Sequence, residues 1–75
     1  MLGSAEFHGG KWHLTPRRTE ILFLLTFGHT EKSIADRLGI TRDTVKRHTL
    51  HARWALRAKT TTQAVATALR IGAIP

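Results

Sequence analysis

The sequence predicts an all-α fold, a compact four-helix domain containing a helix-turn-helix. Three observations lead there. Threonines 15, 30, 41 and 60 each stand just before a stretch whose apolar residues recur at spacings of three and four, the pattern of a capped amphipathic helix. Gly28, Gly39 and Gly72 follow three of those stretches, where glycine commonly ends a helix. Only Ile40 and Thr41 separate Gly39 from the next periodic stretch, which is the short glycine-containing turn of a helix-turn-helix.

The elements follow in order. Residues 1–13, MLGSAEFHGGKWH, are rich in Gly and His and show no periodicity. They are expected to be a flexible linker, with Met1–Phe7 either cloning residue or the end of a longer linker, and the lead-in suggests a piece cut from a larger protein. Residues 14–75 form the domain, and no strand, repeat or low-complexity tract is expected in the chain. Helix 1 is placed at 16–27: Thr15 caps it, Pro16 suits the first helical position because its missing N–H would be unpaired there anyway, and Leu14 can staple onto the first turn. Ile21, Leu22, Leu24 and Leu25 form its apolar face, and Gly28 ends it.

Helix 2 is capped by Thr30, turns Ile34, Ala35 and Leu38 inward, and stops at Gly39. In helix 3, Thr41 is the cap and Asp43 lies in the first turn, where a carboxylate suits the helix dipole. Val45, His48, Ala52, Ala55 and Leu56 should face inward; Lys46, Arg47, Leu50, Arg53, Trp54 and Arg57 share the remaining face. Helix 4 opens with Thr60 and Gln63 at capping-box spacing, carries a stripe of Ala64, Val65, Ala68 and Leu69, and ends at Gly72, with Ile74 folding back as a plug. Isolated helices of fewer than about 12–15 residues are marginal in water, so packing of these stripes must hold the domain together.

Charge narrows the function. Twelve Lys and Arg stand against five Asp and Glu, a net charge of +7 on 75 residues, and such a field favours a polyanion. Between Thr41 and Lys59 lie Arg42, Lys46, Arg47, Arg53, Arg57 and Lys59 against the single acid Asp43, so the charge is a localised footprint. With no cysteine there is no disulfide framework and no cysteine-based zinc site, which fits a reducing, cytoplasmic setting. The longest apolar run, Ile21–Leu25, is too short to span a bilayer, and no signal peptide is visible. There is no cysteine nucleophile, acid pair or glycine-rich phosphate loop, so no enzyme activity and no cofactor is expected.

The helix-turn-helix organises the footprint. Ala35 is small where two helices must cross, Gly39 follows four residues later, and Val45 lies six beyond that, plugging back into the core. A larger residue at 35 would push helix 3 away, and a Cβ at 39 would strain a left-handed turn. In the DNA-binding version of this motif the second helix enters the major groove with its N-terminal residues on base edges, which makes residues 42–50 the contact surface.

The stretch LTPRRTEILFLLTFGHTEKSIADRLGITRDTVKRH, followed by AKTTTQAVATALRIGAI, resembles the LuxR/FixJ-type (GerE-like) helix-turn-helix domain over about residues 14–74. Leu-Thr-Pro-Arg, Lys-x-Ile-Ala, Leu-Gly-Ile, Thr-Val-Lys-x-His and Thr-Gln-Ala-Val fall in order. The resemblance implies the C-terminal DNA-binding domain of a bacterial transcription regulator, with a recognition helix at about 42–56. It further implies a homodimer on inverted-repeat sites through the last helix, with Ala64, Thr67 and Ala68 as contacts, and it leaves RNA polymerase as a further partner. The tail is most similar to the quorum-sensing branch.

The family's base-reading positions fall on Lys46, Arg47 and Leu50, and its backbone contacts on Lys32, Thr41, Arg42, Thr44 and His48. Lys46 can reach guanine O6 and N7, and Arg47 can do the same or clamp a phosphate. Leu50 departs from a position that is often polar or basic. Arg18 replaces the usual Glu, removing the helix 1 capping box, and Arg57-Ala58 replaces a common Gly-Val.

Other readings compete. The basic residues could be an ordinary solvated face, above all Arg53 and Arg57 late in helix 3. His48 and His51 are three apart, but no third metal ligand has evident spacing. Trp54 is either an interface anchor or a surface residue, and Trp12 is expected to pack on the domain. The small residues of helix 4 suit internal packing as well as dimerisation. A sigma-factor-like promoter-binding region shares helix 1 and the turn, but the late helix argues against it. A basic protein-interaction module is the alternative from another class. Membrane-surface binding needs a bulky apolar face opposite the lysines, which helix 3 lacks.

Overall fold

A computed structural model describes residues 7–8 and 11–75, with side chains from His13 onward. Four helices carry the domain: α1 (Pro16–Leu25), α2 (Glu31–Leu38), α3 (Arg42–Ala55) and α4 (Thr61–Arg70). Each starts at the expected threonine. The Thr15, Thr30, Thr41 and Thr60 hydroxyls accept from the backbone N–H of Arg18, Ser33, Thr44 and Gln63 at 3.2, 3.1, 3.1 and 3.0 Å. Such a cap contributes about 1 kcal/mol, a large share of the stability of so small a domain.

Helix ends differ from expectation in detail. The α1 helix stops at Leu25, and the next turn tightens, with the N–H groups of Thr26, Phe27 and Gly28 donating to carbonyls three residues back. At α2, Ser33 closes a capping box, its Oγ accepting from Thr30 N–H at 2.9 Å. The box expected at α4 is shifted by one residue, because Gln63 Oε1 accepts from Lys59 N–H at 2.7 Å rather than from Thr60.

The expectation of no strand is corrected by a short antiparallel ladder, β1 (Phe7–His8) with β2 (Lys11–Trp12), pairing Phe7 with Trp12 and His8 with Lys11. Two-residue strands are too brief for a period to register. The Gly9-Gly10 dipeptide between them is nevertheless a hairpin signal in the sequence. The ladder brings β2 alongside α3. The rest of the 1–13 linker expectation lies outside the described residues, as does the Trp12 side chain.

Helix α3 is the hub, packing against α1, α2 and α4. On one side Ile21, Ile34, Ala35 and Val45 form a buried cluster, backed by Leu24, Leu38 and Ile40. On the other, Leu22, Ala52, Ala58, Ala64, Ala68 and Ile74 form a second, backed by Leu14, Phe23, Leu56 and Val65. Leu25 packs against both. Ile74 is the expected plug, buried against α4's alanines.

Two placements depart from the expected faces. Leu69, assigned to the inner stripe of α4, is 45% exposed, because the buried row is the i, i+4 pair Ala64 and Ala68. On α3 the fully inward row is Val45, Thr49 and Ala52, with His48 only half-buried. Thr49 can lie inside because its hydroxyl donates to Lys46 O at 2.8 Å within its own helix.

Candidate nucleic-acid interface

The turn between α2 and α3 sets the site. Gly39 adopts φ 69°, ψ 32°, the left-handed region, and its N–H donates to Ala35 O. Ile40 N–H donates to the same carbonyl at 3.0 Å, so the chain reverses within a Schellman-type end. Ala35 and Val45 are both buried in the cluster that joins α2 to α3. A Cβ at residue 39 would meet nothing within 4 Å, so Gly39 serves backbone conformation and the small residue at the helix crossing is Ala35.

With Val45, Thr49 and Ala52 inward, the opposite face of α3 is presented outward. Lys46 and Arg47 are exposed, as are Thr41, Arg42 and Asp43 at the helix start. Thr44 and Leu50 are half-buried, so Leu50 offers only part of its side chain to a ligand. Thr41 and Thr44 share a hydroxyl–hydroxyl bond of 2.9 Å beside the backbone N–H groups of the first turn, a helix terminus suited to a phosphate oxygen. Lys32 is exposed on α2 and pairs with Asp36 at 3.3 Å, both groups 72% exposed. A pair that open contributes little and can yield to another anion.

His48 bridges surface and core. Its Nδ1 is buried with no hydrogen-bond partner among the described residues. Burial, then repulsion from Arg18, Arg17, His51 and Arg47, holds its pKa below the ordinary 6.5. At neutral pH it is therefore an uncharged imidazole, able to meet a phosphate as an N–H donor rather than as a cation.

The remaining basic residues separate by role. Arg53 is half-buried and its guanidinium donates to Lys59 O, which clamps the turn after α3. Arg57 is exposed and holds φ 54°, so it occupies a position where the backbone favours glycine. Trp54 is 45% exposed, with its ring centroid 5.5 Å from that of His51.

The residues expected at a dimer contact do not share a surface. Ala64 and Ala68 are fully buried in this chain's own core and Thr67 is half-buried. Small side chains there let α4 approach α3 and α1 closely, which is internal packing. The outer face of α4 presents Thr62, Ala66, Leu69 and Arg70.

Sequence reasoning missed one pair. Arg18, 2% exposed, donates from Nη1 to His13 O at 2.9 Å and from Nη2 to His51 Nδ1 at 2.8 Å. The lone pair of His51 Nδ1 is thereby engaged, which removes that nitrogen from metal ligation with His48. The available signal was a second arginine directly after Pro16-Arg17, where a helix N-terminus disfavours positive charge.

One groove is lined by Pro16, Arg17, Phe23, Ile74 and Pro75. It includes none of residues 42–50. Residues 13–68 match the family model of bacterial regulatory proteins of the luxR family. No curated protein matches the chain.

Proposed function

The chain belongs to the luxR family of bacterial regulatory proteins, and on that premise we propose that it binds double-stranded DNA sequence-specifically in transcription control, with the start of α3 in the major groove. The observation that carries this reading is the rotation of α3. Burial of Val45, Thr49 and Ala52 leaves Lys46 and Arg47 projecting together from the helix that follows a helix-turn-helix turn. Lys46 and Arg47 read base edges, and the exposed part of Leu50 meets a thymine methyl. Lys32, Thr41, Arg42, Thr44 and His48 hold phosphates on either side and set the register. Dimerisation on an inverted repeat uses the outer face of α4, around Ala66 and Leu69, since Ala64 and Ala68 are enclosed.

Selection of bound duplexes from a random pool tests the reading. Enriched palindromes with a fixed half-site spacing are expected; no enrichment, with no retention of duplex at moderate salt, would reject it in favour of a basic protein-interaction module. Lys46→Ala then separates readout from charge. Loss of a base contact costs about 1–3 kcal/mol on the selected site and much less on random DNA. An equal loss on both makes Lys46 a phosphate contact.

A further inference from the structure

The clasp between Arg18 and His51 joins the start of α1 to the middle of the recognition helix, and nothing in the DNA-facing surface uses it. Arg18 is the third residue of α1, and its own N–H is spent on the Thr15 cap. Its guanidinium then runs inward and ties three segments together: its own helix, the lead-in through His13 O, and α3 through His51 Nδ1. An arginine can only donate, so Nδ1 of His51 must accept, and the neutral ring carries its proton on Nε2. His51 follows Arg47 by one helical turn on the same row of α3. The clasp therefore pins the helix directly behind a base-facing side chain.

We propose that Arg18 is a positioning residue for the recognition helix, and that the Arg18–His51 clasp is a proton-released latch between α1 and α3. A proton on Nδ1 removes the acceptor and sets an imidazolium against a buried guanidinium, so the bond becomes a repulsion. The charged groups around the ring favour the closed state. Arg18 faces it from α1 and Arg47 from α3, His48 lies one turn earlier with Arg17 nearby, and the lead-in alongside α3 carries Lys11 and His13 in its sequence. Burial first, then Arg18 and Arg47, push His51 below the ordinary 6.5. A histidine shifted downward on folding stabilises the native state fully above that value, and this stability is lost as pH falls through the depressed one. The latch is closed at neutral pH and opens in acid. Its consequence for DNA rests on the function proposed above.

The test uses the 75-residue chain. In an NMR titration of the imidazoles, His51 should be the Nε2–H tautomer when neutral and should titrate below 6.5. The urea midpoint should fall between about pH 7.5 and about pH 5.5. His51→Asn keeps an acceptor at the Nδ1 position but cannot take the proton, so it should reduce that acid sensitivity, leaving the part that His48 contributes. At neutral pH, His51→Leu should weaken duplex binding and His51→Asn should restore it. The latch is overturned if His51 titrates at or above 6.5, or if His51→Asn is as acid-sensitive as the parent. Should His51→Asn fail to fold, the titration of the parent decides alone. A parent that binds no duplex while His51 titrates low would reject the DNA reading and leave the latch standing.

Discussion

The turns on either side of α3 have the same backbone and opposite chemistry. After α2, Gly39 sits at φ 69° and Ile40 N–H reaches back to Ala35 O; after α3, Arg57 sits at φ 54° and Ala58 N–H reaches back to Arg53 O at 2.8 Å. In both, the residue after the left-handed one packs into a core cluster, Ile40 on the α2 side and Ala58 on the α4 side. The first turn uses the residue for which that conformation is unstrained. The second forces an L-residue into it, a choice that costs on the order of 1–2 kcal/mol.

What offsets that strain is local. Arg53 clamps Lys59 O, Gln63 Oε1 accepts from Lys59 N–H, and Thr60 caps α4. The turn before α3 has its threonine cap but no comparable side-chain bonds across residues 39–40 among those described. One junction is therefore set by backbone freedom, and the other is held in place by side chains against a backbone preference.

Three substitutions would break or sharpen this contrast. The largest effect is expected at Gly39. No atom obstructs a new Cβ there, so Gly39→Ala should lose only the left-handed penalty, about 1–2 kcal/mol in urea denaturation. A much larger loss would mean that residue 39 does set the helix crossing. Next is Arg53→Met, which keeps the packed stem and removes the clamp on Lys59 O. It should cost about 1 kcal/mol, and a negligible change would show that the turn is held by the other two bonds. Smallest and opposite in sign is Arg57→Gly. It relieves strain but raises the entropy of the unfolded chain, for a net gain of about 0.5–1 kcal/mol, or several degrees in melting temperature for a domain this size. Destabilisation by Arg57→Gly would locate a favourable contact of the Arg57 side chain and remove the basis of the comparison.

Much of the molecule was legible one residue at a time. The four threonine caps, the Gly39 end of α2 and the buried Ile34, Ala35 and Val45 depend on short-range geometry, and each appears where its local pattern put it. The exposed Lys46 and Arg47 follow from the same periodicity. Two of the departures share one cause, which is that residue type is a poor guide to burial when a polar group finds a partner. Thr49 satisfies its hydroxyl on Lys46 O and goes inside. Arg18 donates from its guanidinium to His13 O and His51 Nδ1 and is buried, although arginine is seldom so enclosed. Leu69 errs the other way, remaining outside because Ala64 and Ala68 fill the row that meets α3.

The sequence by itself determined where helices begin and which side of α3 is basic, because caps, turns and periodicity act over a few residues. Only the tertiary structure decided which small residues of α4 are enclosed, that the Arg53 guanidinium closes a turn, and that Arg18 bonds to a residue of α3 33 positions away. Those outcomes depend on which surfaces meet when the helices pack. A partner supplied by a distant segment leaves no periodic trace along the chain.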